Sequence, residues 1–404
     1  MVGGAEDLGE DAMRKIFGLL AAAIALTSTA ATAQVPLKPG TPSILRWTPE
    51  QQSEWYPAIE TVYKTATVTR GAEVRALPKA AHGLDPAFSY NYAGKSWTVD
   101  DYMNAYRVSG VLVLKDGKVL LERYGLGRKP EDRWISFSVT KSVTSSLVGA
   151  AIQDGKIKSI DDPVTLYIRE LTGSAYEGVT IRQLLTMSSG VKWNEDYSDP
   201  NSDVARAGAK VLDPGVNPIV SYMRSLPRES TPGSTFHYDT GETDLVGVLV
   251  SSAVGKSMSA YASEKIWQAY GMERDAVWPV DLAGHERGGC CMAMTLGDYG
   301  RIGQFILEGG KARGRQILPD GWVAQATTPQ ITNGAPPPGY GFFWWMRRDG
   351  SYQASGIFGQ SITTWRDDGV VIVVNSAWPS AVGRELGAAR AAFLDAVHAA
   401  VKGM

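Results

Sequence analysis

Ser138 and Lys141 stand three residues apart in a stretch, residues 135–149, that reads as the start of a buried helix. Residues at i and i+3 share a helix face, with Cβ atoms about 5–6 Å apart. Such a pair can do nucleophilic chemistry, because an alcohol is a weak nucleophile near neutral pH until a neighbour takes its proton. A lysine can take that proton only where burial or nearby positive charge leaves its amine neutral. A second Ser-x-x-Lys occurs at Ser189-Gly190-Val191-Lys192. There Gly190 breaks the helix, so serine and lysine are not expected to share a face.

Two further sets of residues bear on the same chemistry. Tyr238-Asp239-Thr240 follows a Pro232-Gly233 turn and directly precedes a helical pattern. A tyrosine held there could share protons with Lys141 and pass one to a leaving group. Ala354-Ser355-Gly356-Ile357 lies on an expected C-terminal strand, where small side chains let a substrate carbonyl rest against the strand edge. The N–H groups of Ile357 and Ser138 would then form an oxyanion hole, each donor worth about 10²–10³ in rate. Thr240, Ser355 and Gly356 are the expected substrate-binding positions beside them. Trp193, Trp344, Trp345 and Trp378 are candidate pocket walls, and the acidic loop carrying Glu195, Asp196, Asp199 and Asp203 could attract a substrate ammonium group.

These residues need elements to hold them. Val108–Lys115 and Lys118–Tyr124 read as strands joined at Asp116-Gly117, since this pair supplies positive φ cheaply. The first core helix runs from Ser138 to about Ala151, ending at Asp154-Gly155. Asp161-Asp162-Pro163 should open another. Thr180–Met187 fits a short helix capped by Thr180, and helical spacing continues over 239–255, 258–270 and 295–307. The C-terminal part alternates strand with turn: Phe342–Met346, Tyr352–Ser355, Ser361–Trp365 and Val370–Asn375. An amphipathic helix over 384–401 follows, with Leu386, Phe393, Val397 and Val401 down one side. Strands from both ends bracket a helical middle, which predicts an α+β fold. One antiparallel sheet is built from the N- and C-terminal strands (α/β part about 45–135 and 295–404), and a helical part, about 136–294, packs against it.

The 404 residues carry 40 Lys and Arg against 42 Asp and Glu, scattered rather than clustered, which leaves no electrostatic footprint for nucleic acid. His82, His237, His285 and His398 show no metal-ligand spacing, and no phosphate-binding or dinucleotide fingerprint occurs, so neither metal nor organic cofactor is expected. No G-x-S-x-G is present either, which disfavours a Ser-His-Asp hydrolase. Arg14 and Lys15 precede an apolar run, Ile16 to Leu26, and Ala31-Thr32-Ala33 supplies a small-residue cleavage site. Residues 1–33 therefore read as leader and signal peptide (Met13 to Ala33), and residues 34–404 as one catalytic domain opening on an extended, proline-punctuated segment. The mature protein is expected in a periplasm or outside the cell, without a membrane anchor. Cys290 and Cys291 are adjacent; neighbours rarely meet disulfide geometry, so two buried thiols are expected.

The order Ser-x-x-Lys, then Tyr-x-Thr about a hundred residues on, then a small-residue strand and a terminal helix, resembles the serine β-lactamase-like superfamily. That group includes class C β-lactamases, DD-peptidases, family VIII carboxylesterases and 6-aminohexanoate-dimer (nylon oligomer) hydrolases. The resemblance covers about residues 45–400 and is strongest to the last branch, through residues 107–124, 184–190, 193–200 and 355–360. It implies Ser138 as acylated nucleophile, Lys141 as its base, Tyr238 as proton shuttle, and backbone N–H groups of Ser138 and Ile357 as the oxyanion hole. Tyr197 would line the cleft near the leaving group. Two departures matter. Ala354 stands where β-lactamases carry a lysine that helps bind the antibiotic's carboxylate, and Phe358 stands where several relatives place histidine. The expected activity is hydrolysis of small esters or linear amides, with β-lactamase or DD-peptidase chemistry as the alternative.

Overall fold

In a computed structural model, residues 35–207 and 213–404 are described. The expected leader and signal peptide lie outside them. Val108–Lys115 (β1), Lys118–Tyr124 (β2), Trp345–Met346 (β3), Tyr352–Gly356 (β4), Gln360–Trp365 (β5) and Val370–Ser376 (β6) form one antiparallel sheet, ordered β3-β4-β5-β6-β1-β2. The N-terminal hairpin thus docks on the C-terminal meander through β6 and β1, where Ile372 faces Val113.

Side chains alternate between sheet faces along a strand, and both faces here are covered. Leu112, Leu114, Ile362, Val371 and Val373 point into the main core. On that side lie Val139–Gln153 (α1), Thr240–Val254 (α2) and Leu296–Leu307 (α3). Val111, Val113, Ile372 and Val374 face the other way, into a cluster with Phe393, Leu394, Val397 and Val401 of Arg384–Val401 (α4). Burial on both faces explains why β6 is apolar almost throughout instead of alternating. A Cβ on Gly303 of α3 would lie 2.4 Å from Val371, so only glycine allows that helix its approach to the sheet. Phe393 stacks on Tyr102 with centroids 4.0 Å apart; cutting it to alanine should cost about 3–5 kcal/mol.

α1 is buried along almost its whole length, which is why its sequence shows so weak an apolar stripe. It packs on α2, whose N-cap Asp239 accepts from the Glu242 N–H at 3.0 Å and whose end is turned by Gly255 at φ 67°. Several local expectations are revised. The segment after residue 34 is not simply extended: Thr48 forms a capping box with Gln51 and starts a helix over Pro49–Trp55. Pro163 opens only a 3₁₀ turn, Val164–Leu166. Residues 263–268 widen into a π-helical turn. A second, four-stranded sheet joins Thr65–Val68, Ala276–Pro279, Ala293–Met294 and Trp134–Ile135, and leads the chain directly into α1.

Candidate active site

Ser138 is the N-cap of α1, yet its side chain makes no capping hydrogen bond, which leaves the hydroxyl available for other work. Phe137, just before it, is held at φ 45°, a region that non-glycine residues rarely occupy. Its ring is fixed between Tyr56 and Phe358, at centroid distances of 5.4 and 5.2 Å. Its carbonyl accepts from Thr140 N–H at 3.1 Å and from Cys291 N–H at 3.2 Å. Packing and hydrogen bonds therefore hold a strained turn that presents Ser138.

Lys141, one turn on, is 1% exposed. Its Nζ lies 3.1 Å from Ser138 Oγ, 3.0 Å from Thr240 Oγ1 and 2.7 Å from the Gly289 carbonyl oxygen. Proton accounting makes these contacts directional. A carbonyl can only accept, and Thr240 commits its single hydroxyl proton to Glu195 Oε1. A neutral amine thus spends both N–H groups on Gly289 and Thr240, and its lone pair is left for the Ser138 hydroxyl. Burial is the main cause lowering the Lys141 ammonium from 10.5 to about 8, and Glu195 is the leading charge that opposes it.

Glu195 is the residue that sequence reasoning misplaced. Its Oε1 accepts from Tyr197 at 2.7 Å and from the Thr240 hydroxyl; its Oε2 accepts from Thr240 N–H at 3.0 Å and from the Trp193 indole. These donors are all neutral and leave its charge in place, and Glu195 lines the same cleft as Ser138. Its loop neighbours are also occupied: Asp196 holds Ser198, Asp199 the Asn201 N–H, and Asp203 both Asn194 N–H and Tyr222. The signal was present as spacing. In an extended segment 193, 195 and 197 share a face, and these three are covered while 194, 196 and 198 are exposed.

Tyr238 has the Ser138 side chain as its hydrogen-bonding neighbour, and burial, first among the causes, raises its phenol well above the usual range. Its ring stacks on Trp345 at 5.3 Å, and Lys141 Nζ lies 5.3 Å from the ring centroid. Ser138, Tyr197, Tyr238, Trp345, Ser355, Gly356, Ile357 and Trp378 line one cleft of about 300 Å³. A Cβ on Gly356 would lie 2.5 Å from Ser136 O and 3.1 Å from Ser138 N, so glycine is what lets β4 run against the nucleophile's backbone. A second, narrow pocket of about 50 Å³ also reaches Ser138 and is lined by Ile44, Phe137, Val204, Cys290 and Ile357.

The structure thus brings Ser138, Lys141, Tyr238, Tyr197, Thr240, Ser355, Gly356 and Ile357 together. Of the four tryptophans, Trp345 and Trp378 line the cleft; Trp344 belongs to the core, and Trp193 is buried behind Glu195. Thr240 touches the narrow pocket, but its hydroxyl serves Lys141 and Glu195. Cys290 and Cys291, expected as thiols, are bonded to each other. Cys291 has a positive φ of 91°. This turn follows Gly289, whose N–H is fixed by Asp244 Oδ1 at 2.8 Å, and Asp244 is ion-paired with buried Arg287.

The fold and this site define a class: the chain matches the Beta-lactamase family model over residues 98–396 and belongs to that family of hydrolases. Within it, the chain is 33% identical over 287 residues to a 6-aminohexanoate-dimer hydrolase of Paenarthrobacter ureafaciens, covering 66% of this chain and 72% of that one. A beta-lactamase of Pseudomonas fluorescens is 22% identical over 188 residues, 44% of this chain and 48% of its own. Among solved structures, a Bacillus anthracis protein provisionally named a 6-aminohexanoate-dimer hydrolase superposes with a TM-score of 0.76 at 22% identity, over 86% of this chain and 94% of that one. EstCE1, described as a hydrolase with promiscuous acyltransferase activity, gives 0.60 at 16% identity, over 74% and 96%. These two structures support the α+β fold.

Proposed function

We propose that this protein is a serine hydrolase that cleaves linear carboxylic amides and small esters through an acyl group carried on Ser138. The observation that carries the reading is the contact of a buried Lys141 amine with the Ser138 hydroxyl, its other two partners both being able only to accept. Ser138 Oγ attacks the carbonyl carbon as its proton passes to Lys141. The N–H groups of Ser138 and Ile357 receive the oxyanion, and Tyr238 hands a proton to the departing amine or alcohol. Water then adds to the acyl carbon and restores the Ser138 hydroxyl. Glu195 positions Thr240 and Tyr197 and does not react. Similarity to the 6-aminohexanoate-dimer hydrolase favours amides of that linear type. Ala354, where β-lactamases carry a lysine, makes efficient β-lactam cleavage unexpected. Residues 13–33 are proposed as a signal peptide, which N-terminal sequencing of the mature protein tests.

Turnover across short acyl esters, 6-aminohexanoate dimer and a chromogenic cephalosporin, with Ser138→Ala as control, tests the reading. Ester and amide cleavage that vanishes in the variant supports it. Efficient cephalosporin cleavage with no amide turnover would replace it with the β-lactamase alternative.

A further inference from the structure

The walls around Ser138 are not all supplied by residues 98–396, the part of the chain that matches the family model. Ile44 and Leu45, on a 3₁₀ turn over Ile44–Arg46, line the narrow pocket that reaches Ser138 and Ile357. Two anchors fix this N-terminal arm. Trp47 donates its indole N–H to the Pro42 carbonyl at 3.0 Å and stacks on Tyr63 at a centroid distance of 5.8 Å. Arg46 Nη2 donates to the Ser198 carbonyl at 2.7 Å, which ties the arm to the loop carrying Tyr197. Ile44 is buried in the cluster that holds Phe137, whereas Leu45 is partly buried and packs against that cluster. Beyond the arm lies an outer groove of about 570 Å³, walled by Trp47, Phe358 and Val382 among others. Among the described residues, Leu45 and Tyr197 are the two that line both spaces, so their side chains stand between the narrow pocket and the groove.

We propose that Leu45, from this arm, sets the length of acyl chain that the protein accepts, by closing the narrow pocket against the outer groove. The inference rests on Ser138 as nucleophile and narrows that reading to substrates with a short acyl part. Tyr238, which protonates the departing group, lines the larger cleft of about 300 Å³ and is not among the walls of the narrow pocket. The leaving group therefore occupies the larger cleft. The acyl chain is left the pocket between Ile44, Leu45, Val204 and Cys290. Of the polar groups that also line it, Arg287 is ion-paired with Asp244 and the Thr240 hydroxyl serves Glu195. A pocket of about 50 Å³ has room for about three or four water-sized groups. An acetyl to butyryl chain fits; a six-carbon chain meets the Leu45 side chain. With Leu45 cut to alanine the pocket opens into the groove, and a longer chain gains burial against Trp47 and Phe358.

Two substrate series test this. p-Nitrophenyl acetate, butyrate, hexanoate and octanoate vary the acyl chain with a constant leaving group. Alkyl acetates from ethyl to octyl, followed by acid release, vary the leaving group with a constant acyl chain. In the wild-type protein kcat/KM should fall at least about tenfold between butyrate and hexanoate, with no such break among the alkyl acetates. Leu45→Ala should raise the hexanoate-to-acetate ratio at least about tenfold, and Leu45→Phe should lower the butyrate-to-acetate ratio. Should Leu45→Ala not fold, Leu45→Val gives the same sign at smaller size. A merely structural role for Leu45 would lower all esters alike, so unchanged ratios in the folded variants overturn the proposal. A flat acyl series in the wild type does the same, as does a break confined to the alkyl acetates. Absence of any Ser138-dependent ester turnover would instead sink the catalytic reading.

Discussion

The chain contains the same tetrad twice, and the two copies have different fates. Ser138 and Lys141 sit on the first turn of a buried helix, with Nζ 3.1 Å from Oγ. In the second copy Gly190 turns the chain at φ 78°, and a Cβ there would collide with the Ser230 carbonyl at 2.1 Å. Ser189 is buried and its Oγ caps the Val191 N–H at 3.0 Å, while Lys192 is exposed to water. The spacing is shared; the helix and the desolvation are not. A Ser-x-x-Lys becomes chemistry only where helical register points both side chains the same way and burial lowers the amine.

Serine replacement breaks this comparison most sharply. Ser138→Ala should cut turnover by about 10⁴-fold or more. Ser189→Ala should leave kcat close to wild type and cost about 1 kcal/mol of stability from its lost hydrogen bond; steady-state kinetics beside denaturant melts separate the two. Lysine replacement comes next: Lys141→Ala should lose about 10²–10⁴-fold in kcat/KM, whereas Lys192→Ala, on a solvated lysine, should lose nothing measurable.

Smaller effects sharpen the electrostatics. Glu195 favours the charged form of Lys141, so Glu195→Gln should move the inflection of the kcat/KM–pH profile below about 8, since removing a nearby anion lets the amine deprotonate sooner. The plateau should also fall, because Thr240 and Tyr197 lose the acceptor that aligns them. The smallest expected change is in stability. Burial raises Glu242 to about 8, and Asp239 beside it is also held well above the usual carboxylate range, chiefly by burial. An acid whose folded pKa is raised binds protons more tightly when folded, so its stability is present at low pH and is lost as pH climbs from about 4.5 through about 8. Glu242→Gln should therefore raise Tm by about 2–4 °C near pH 9 and change it little near pH 5, as calorimetry at both pH values would show.

Much of this architecture was readable in advance where local pattern and tertiary context agree. Asp116-Gly117 marked the β1–β2 turn, Thr180 marked a helix start, and strands at both ends of the chain did join in one sheet. Ser138, Lys141, Tyr238 and Ile357 could be named from residue type and order, Tyr197 only through the family resemblance, and the structure brings all five together. What escaped depends on contacts distant in sequence. Glu195 read as one of four loop carboxylates that could attract an ammonium group, since nothing local says that Thr240 will meet it. The Cys290–Cys291 bond runs against the rule that neighbours rarely meet disulfide geometry.

The rate at which a fluorophosphonate labels the protein, followed against pH with the modified peptide mapped, tests the central claim most directly. A neutral Lys141 acting as base predicts a label on Ser138 alone, with a rate that climbs as pH rises through about 8 and falls about tenfold by pH 7. A label on another residue, or a Ser138 rate flat between about pH 6 and pH 9, would contradict it.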